Sequence, residues 1–360
     1  MAYYNLSWYY FSHIPVFLMR LKTKIPGFLF IWISFPLLLF TNCKGQESFG
    51  TRYLELQKTI ALPGVKGRID HLAINLKDQT AYIAALGNNT VEVADLKNGK
   101  DIYSIKGLHE PQGVGYIPQT QELFVANGGN GECYFYNAHT YEKTATVRLP
   151  SDADDMSYNS LAHKIYVGYG GGGIAVIDAI SHEKVADYPL PAHPERFQID
   201  AGNHRIYVNV PDADRIDVID MGKNKIVDVW KNALLSLPKF NFPMALDTVH
   251  NRLFVGYRLP PKLIILDTRS GKKIASLNIA GNSDDIYYDY QTNRIYVSSG
   301  GGSISIFAQK DADTYRKIAN ILTRNGARTS LLVPEWHLYL LAERTTGNKQ
   351  ARLLVYKTIH

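Results

Sequence analysis

Apolar and polar positions alternate with a period of two through short segments along most of the chain. The segment Lys164-Ile-Tyr-Val-Gly-Tyr-Gly-Gly-Gly-Gly-Ile-Ala-Val-Ile-Asp178 shows the pattern most fully. It predicts two strands, Ile165–Tyr169 and Ile174–Asp178, joined by a glycine run that tolerates a tight hairpin turn. The pattern recurs at Ala81–Asp95, Glu122–Asn137, Arg205–Asp220, Arg252–Asp267, Arg294–Gln309 and, more loosely, His337–Lys357. An aromatic stands near the start of each copy: Tyr82, Phe124, Tyr166, Tyr207, Phe254, Tyr296 and Tyr339. Their spacings are 42, 42, 41, 47, 42 and 43 residues. A period near 40 with several strands per repeat indicates a propeller or a related array.

Each copy is embedded in a fixed order of strands. A first strand comes ahead of it, at Leu72–Asn75, Gly113–Ile117, Met156–Asn159, Phe197–Asp200, Ala245–Asp247, Ile286–Asp289 and Leu331–Val333. A more polar fourth strand follows, as at Lys143–Leu149, Lys184–Leu190, Lys225–Trp230 and Lys273–Ile279. The last repeat ends without a fourth strand, while Tyr53–Leu62 precedes the first repeat as a strand too many. Pairing Tyr53–Leu62 with Leu353–Lys357 closes a ring and removes the exposed edges. The expected architecture is an all-β, seven-bladed propeller over residues 53–358, and a monomer. The longest spacing holds an insertion, Lys231–Phe240, expected to rise over the face where fourth strands hand over to first strands. Thr345–Gln350 lengthens the last hairpin.

The repeats resemble those of the YVTN β-propeller family, the YncE-like proteins, through Phe124-Val-Ala-Asn127, Ala175-Val-Ile-Asp178 and Asp217-Val-Ile-Asp220. The resemblance covers residues 53–357 and implies the propeller fold together with a binding or surface role. It carries no ligand, because a propeller hosts many chemistries.

The N-terminal residues read differently. Met19–Lys24 is a basic segment, Ile25–Phe40 an apolar one, and Cys43 follows directly. This is the layout of a secretory signal, and the cysteine makes it resemble a bacterial lipoprotein signal. Residues 1–43 are therefore read as a signal with Cys43 as the lipidated residue, and 44–52 as a tether. Met19 is an alternative start. An uncleaved membrane anchor is the other reading. The implied place is the bacterial cell envelope. The net charge of +6 over 360 residues falls to +3 without Arg20, Lys22 and Lys24, and no basic stripe marks a nucleic-acid binder. Cys133, the other cysteine, lies in a strand and is expected to be a small buried apolar residue.

Candidate chemistry concentrates where each fourth strand meets the next first strand. These junctions are Gly67-Arg-Ile-Asp-His71, His109-Glu-Pro-Gln-Gly113, Ser151-Asp-Ala-Asp-Asp155, His193-Pro-Glu-Arg196, Asn241-Phe-Pro-Met244, Asn282-Ser-Asp-Asp285 and Gly326-Ala-Arg-Thr329. In a closed ring they converge on one mouth of the central channel. His71, Gln112, Asp155, Arg196, Asp285 and Arg328 are the expected ligand contacts, one from each of six blades. The arginines suit carboxylate or phosphate, while Asp154-Asp155 and Asp284-Asp285 suit a cation, so the ligand's sign stays open. Asx turns or water-holding polar residues would place the same residue types there.

Two function classes follow. One is a binding module that takes a small polar ligand, a peptide or an envelope partner. The alternative is an enzyme with a metal or a His/carboxylate pair in the same mouth, resembling seven-bladed lactonases in composition. His71, Asp155, His193 and Asp285 are the donors for a metal; His71, Glu195, Arg196 and Arg328 would serve acid–base hydrolysis. A cofactor remains unknown. No P-loop, His-Glu-x-x-His or Gly-x-Ser-x-Gly motif occurs.

Overall fold

A computed structural model describes residues 52–232 and 236–359. The expected leader, Cys43 and nearly all of the tether lie outside the described residues, as do residues 233–235 of the insertion.

The alternating segments form seven four-stranded sheets, six of which keep their strands in chain order. Blades 1 to 6 run from Leu72 to Ile105, Pro111 to Arg148, Ala153 to Pro189, Phe197 to Lys231, Lys239 to Asn278 and Ser283 to Leu322. Blade 7 takes Thr329–Val333, Leu338–Glu343 and Ala351–Thr358 from the C-terminal end and Leu54–Leu62 from the N-terminal end. Leu54–Leu62 runs antiparallel to Ala351–Thr358, from Leu54 opposite Thr358 to Leu62 opposite Ala351, with one register shift between Leu56 and Lys58. The chain is a seven-bladed β-propeller closed by its own first strand.

Second and third strands are buried on both faces, and the cores lie between blades. Seven apolar clusters occur, one at each interface between neighbouring blades. The seven aromatics of the repeat sit in them at 0–3% exposure. Cys133 is buried in the cluster between blades 2 and 3. Every blade carries a register shift between its third and outermost strands, for example at Val93/Ala94, Ile306/Phe307 and, in blade 7, Leu56/Lys58. An extra residue there increases local twist, which lets successive blades pack face to face.

The turn before each second strand holds a non-glycine residue with positive φ: Gln79, Gln121, His163, His204, Asn251, Asn293 and His337. Its carbonyl accepts from the N–H just after or at the end of the third strand, as from Leu96 to Gln79 (2.9 Å) and Met221 to His204 (3.0 Å). Histidine fills this turn position in three blades, at His163, His204 and His337.

Several first strands begin earlier than the hydrophobic pattern predicts, at Pro111, Ala153, Lys239, Ser283 and Thr329. The polar junction residues pair with the second strand across a bulge, as Ala153 does with Tyr169 and Ser283 with Ser299. The insertion also differs from expectation. Part of it is strand rather than a raised loop, with Lys239 opposite Leu259 and Asn241 opposite Tyr257. Leu237 packs on the core between blades 4 and 5. The lengthened last hairpin is a loop with one Thr346–Lys349 bridge.

Candidate functional site at the channel mouth

Four of the junctions are held by the hairpin between the second and third strands of their own blade. Gly87 N donates to Arg68 O (2.9 Å), Gly128 N to Glu110 O (2.9 Å), Gly170 N to Asp152 O (2.9 Å) and Gly300 N to Asn282 O (2.8 Å). These glycines permit close approach: a Cβ on Gly87 would stand 2.5 Å from the Arg68 backbone nitrogen. These four junctions are thus clamped onto the hairpins of their own sheets.

Side chains from five blades surround one space of about 30 Å³. Arg68, Asp70 and His71 come from the start of blade 1, Asp154 and Asp155 from blade 3, and Glu195 and Arg196 from blade 4. Phe242 of blade 5 and Asp284 of blade 6 complete it. A space of this size admits a water molecule or the head of a small ion.

The charges are paired between blades more than within them. Arg196 Nη1 lies 2.7 Å from Asp155 Oδ1, and His71 Nε2 lies 3.6 Å from the same oxygen. Arg68 Nη2 stands 2.7 Å from Asp70 Oδ2. Asp284 is gripped from two sides, by Arg258 Nη2 on Oδ1 at 2.6 Å and Arg328 Nε on Oδ2 at 2.9 Å. Arg258 also stacks over Phe242, 3.5 Å from the ring centre. His193 lies between Asp154 (3.3 Å) and Asp152 (3.7 Å).

Burial dominates the protonation equilibria. It pushes the Asp70 carboxyl up to about 6, against the pull of His71 and Arg68. The Asp285 carboxyl is likewise pushed up to about 6, despite Arg196 and His71. Burial and then the neighbouring Asp154 push Glu195 up to about 8. Burial alone would lower both histidines, but Asp70 and Asp155 raise His71, and Asp154 raises His193. Asp154 is held low: burial would raise it, and the His193 hydrogen bond and the His71 charge outweigh that.

Of the six expected contacts, His71, Asp155 and Arg196 line the space. Asp285 is buried outside the lining, its Oδ2 accepting from Ser330 N (2.7 Å) while Oδ1 has no hydrogen bond. Gln112 turns to Asp152 Oδ1 (2.9 Å), and Arg328 reaches Asn282 Oδ1 (2.8 Å) besides Asp284. The remaining lining acids, Arg68 and Phe242 all sit within the seven junction stretches, so the alternation there was the available signal. Arg258 lies at the end of a second strand and had no such signal. Among the described residues no group of three or more His, Cys, Asp and Glu is arranged to hold a metal ion. A wider open groove of about 450 Å³ lies between blades 4 and 5, but its Arg205 is already paired with Asp220 and its Trp230 with Asp228. The mouth is the stronger candidate because charged groups from four separate blades line one space there.

Neither a family model nor a curated protein sequence matches the chain. Solved structures do. A chain in the crystal structure of a mitotic checkpoint complex matches with a TM-score of 0.70 at 14% identity, over 94% of this chain and 100% of the other. A chain of Kuenenia stuttgartiensis hydrazine synthase matches with a TM-score of 0.69 at 15% identity, over 82% and 98%. At such identities the likeness is one of fold, and it supports the seven-bladed propeller.

Proposed function

We propose that the protein is an exported binding module of the YVTN, YncE-like kind, held at a bacterial envelope through lipidated Cys43. In this reading the mouth takes a small polar ligand, or a polar group of a peptide or envelope partner, and no nucleic acid. The observation that carries it is the convergence of charged side chains from four blades, with Phe242 from a fifth, on one space, on junctions clamped to the sheets. A preorganised rim loses little conformational freedom on binding. The anchor rests on the sequence layout alone, and fractionation tests it: Cys43→Ala should move the protein to the soluble fraction, whereas continued membrane retention would support an uncleaved anchor.

Ligand binding is tested by a thermal-shift screen of small polar compounds and short peptides, with Arg196→Met as the site control. A compound that stabilises the native chain and not the variant supports the reading. Stabilisation unchanged by the variant would place the ligand elsewhere. The His71–Asp155 approach of 3.6 Å favours a second reading, acid–base catalysis in the same mouth. Ester or lactone turnover that disappears in His71→Ala would establish that one instead.

A further inference from the structure

The face opposite the mouth carries an apolar pattern that the fold does not need. Among the described residues, the large apolar side chains exposed outside strands are Leu76, Leu161, Ile180, Val249 and Tyr290. All of them lie in turns at the far end of the ring, Ile180 between a third and a fourth strand and the others between a first and a second. Leu161, Val249 and Tyr290 are 93%, 76% and 67% exposed.

Turns of this kind ordinarily hold Gly, Asn, Asp, Ser or Pro. Here the residue at the end of the strand makes the turn. Asn159 Oδ1 accepts from the Leu161 and Ala162 N–H groups (3.1 Å each), Asp178 Oδ1 from Ile180 N (2.9 Å) and Asp247 Oδ1 from Val249 N (3.0 Å). The tip side chains have no part in the turn and stand out from a backbone already fixed. In blade 3, Ala179 N donates to His163 O (2.9 Å), which sets Leu161 and Ile180 on adjoining turns. Charges in these turns have both signs, Lys77 next to Asp78 and Lys310 next to Asp311, so apolar contact is what the face offers.

The chain also enters the ring on this face. Tyr53 O accepts from Ile359 N (2.9 Å), and Thr358, opposite Leu54, donates its N–H to His337 O in the far turn of blade 7 (2.7 Å). Residues 44–52 separate Tyr53 from Cys43, a reach of at most about 35 Å. A membrane anchor at Cys43 is therefore joined to the far face, and the mouth lies at the other end of the strands.

The geometry points to a phospholipid surface as the partner of the far face, with the turn tips entering the headgroup layer and the mouth turned away from the membrane. This inference rests on the reading of Cys43 as the anchor. The tips alone make a weak, reversible contact, because stable attachment takes two signals. The anchor supplies the second by raising the effective concentration. A chain without it should still wash into the soluble fraction.

The test couples a chain beginning at Cys43 to phosphatidylethanolamine and phosphatidylglycerol vesicles that carry a maleimide-headed lipid. Cys133 is buried, which leaves Cys43 as the reactive thiol. Amide hydrogen exchange, read by mass spectrometry, then compares coupled with free protein. Turns 76–79, 160–163, 179–182, 248–251 and 290–293 should exchange at least about threefold more slowly when coupled, with the mouth junctions unchanged. Leu161→Asn, Val249→Asn and Tyr290→Asn together alter only exposed tips and should abolish the slowing, since burial of each such side chain favours partition by about tenfold. Equal slowing in the triple variant, slowing at the junctions instead, or none at all would overturn the inference. So would slowing of the same turns in free protein as its concentration rises, which would make a second copy the partner. Because the coupling is chemical, these outcomes do not depend on lipidation of Cys43 in cells, which fractionation of Cys43→Ala decides separately.

Discussion

Closure by Leu54–Leu62 implies that the ring cannot persist without that strand. A chain beginning at Gly64 would lose eight registered pairs with Ala351–Thr358 and the side chains of Leu54, Ile60 and Leu62, which are 3%, 0% and 0% exposed. Burying one such side chain stabilises by about 1.5–3 kcal/mol, so the three contribute roughly 5–9 kcal/mol. Whole-domain stability is about 5–15 kcal/mol. The loss is shared by two interfaces, because Ile60 and Leu62 pack between blades 7 and 1 and Leu54 between blades 6 and 7. It also bares an edge carrying Leu353, Leu354 and Val355, an invitation to strand pairing between molecules. Calorimetry and gel filtration should compare this chain with one beginning at Glu47. The shorter chain should aggregate or lose its cooperative transition, and a synthetic peptide of residues 52–63 should restore part of it. Ile60→Ala supplies a graded version, with an expected loss of about 2–5 kcal/mol. A shorter chain melting cooperatively within a few degrees of the longer one would refute the closure argument.

Arg196→Met should destabilise by about 2–4 kcal/mol, somewhat less than the about 3–5 of a fully buried pair, because Arg196 is 21% exposed while Asp155 is 5% exposed. Adding Asp155→Asn should recover much of the loss; chemical denaturation showing single and double variants equally weakened would contradict the pairing. The mouth should also make stability fall as pH rises from 6 to 8. The raised carboxyl of Glu195 keeps its proton in the folded state up to about 8, and raised His71 and His193 lose their contribution as pH climbs through their folded values. Asp70 and Asp285 act in the same sense between about 4 and about 6. Asp154, held low, opposes them only as pH falls below its ordinary range. The melting temperature should thus peak on the acid side of neutrality, Glu195→Gln should flatten the slope, and a profile that rises from pH 6 to 8 would sink the assignment. Gly113→Ala should lower the melting temperature by several degrees, since its Cβ would meet the Asp154 carbonyl oxygen at 2.2 Å and force blades 2 and 3 apart. An unchanged melting curve would show that the junction yields easily.

The fold was legible because each blade obeys the same local rule. Alternation at period two marks the strands, and an aromatic in every second strand fills the gap to the next blade. A strand too many at one end and too few at the other can be reconciled only by a ring. The mouth was half legible, for a reason tied to register. Position in the repeat tells which rim a residue occupies, but a bulge decides which side chain turns inward. Asp154 and Asp155 lie inside the irregularity between Ala153 and Met156, Asp284 between Ser283 and Asp285, and Gln112 between Pro111 and Val114. Gln112 consequently meets Asp152, and Asp284 rather than Asp285 faces the cavity. The pairs themselves join residues 26 to 44 positions apart, as in Arg258–Asp284, Arg196–Asp155 and Arg328–Asp284. No pattern within one blade encodes such distances; the packing of neighbouring blades creates them. Phe242 and Arg258 show the limit most clearly. Both arise from the one blade whose first two strands are extended, where Lys239 pairs with Leu259, and they bring to the mouth an aromatic ring with an arginine stacked over it. Chemistry of this kind enters where a blade departs from its repeat, and the 47-residue spacing was the trace of that departure in the sequence.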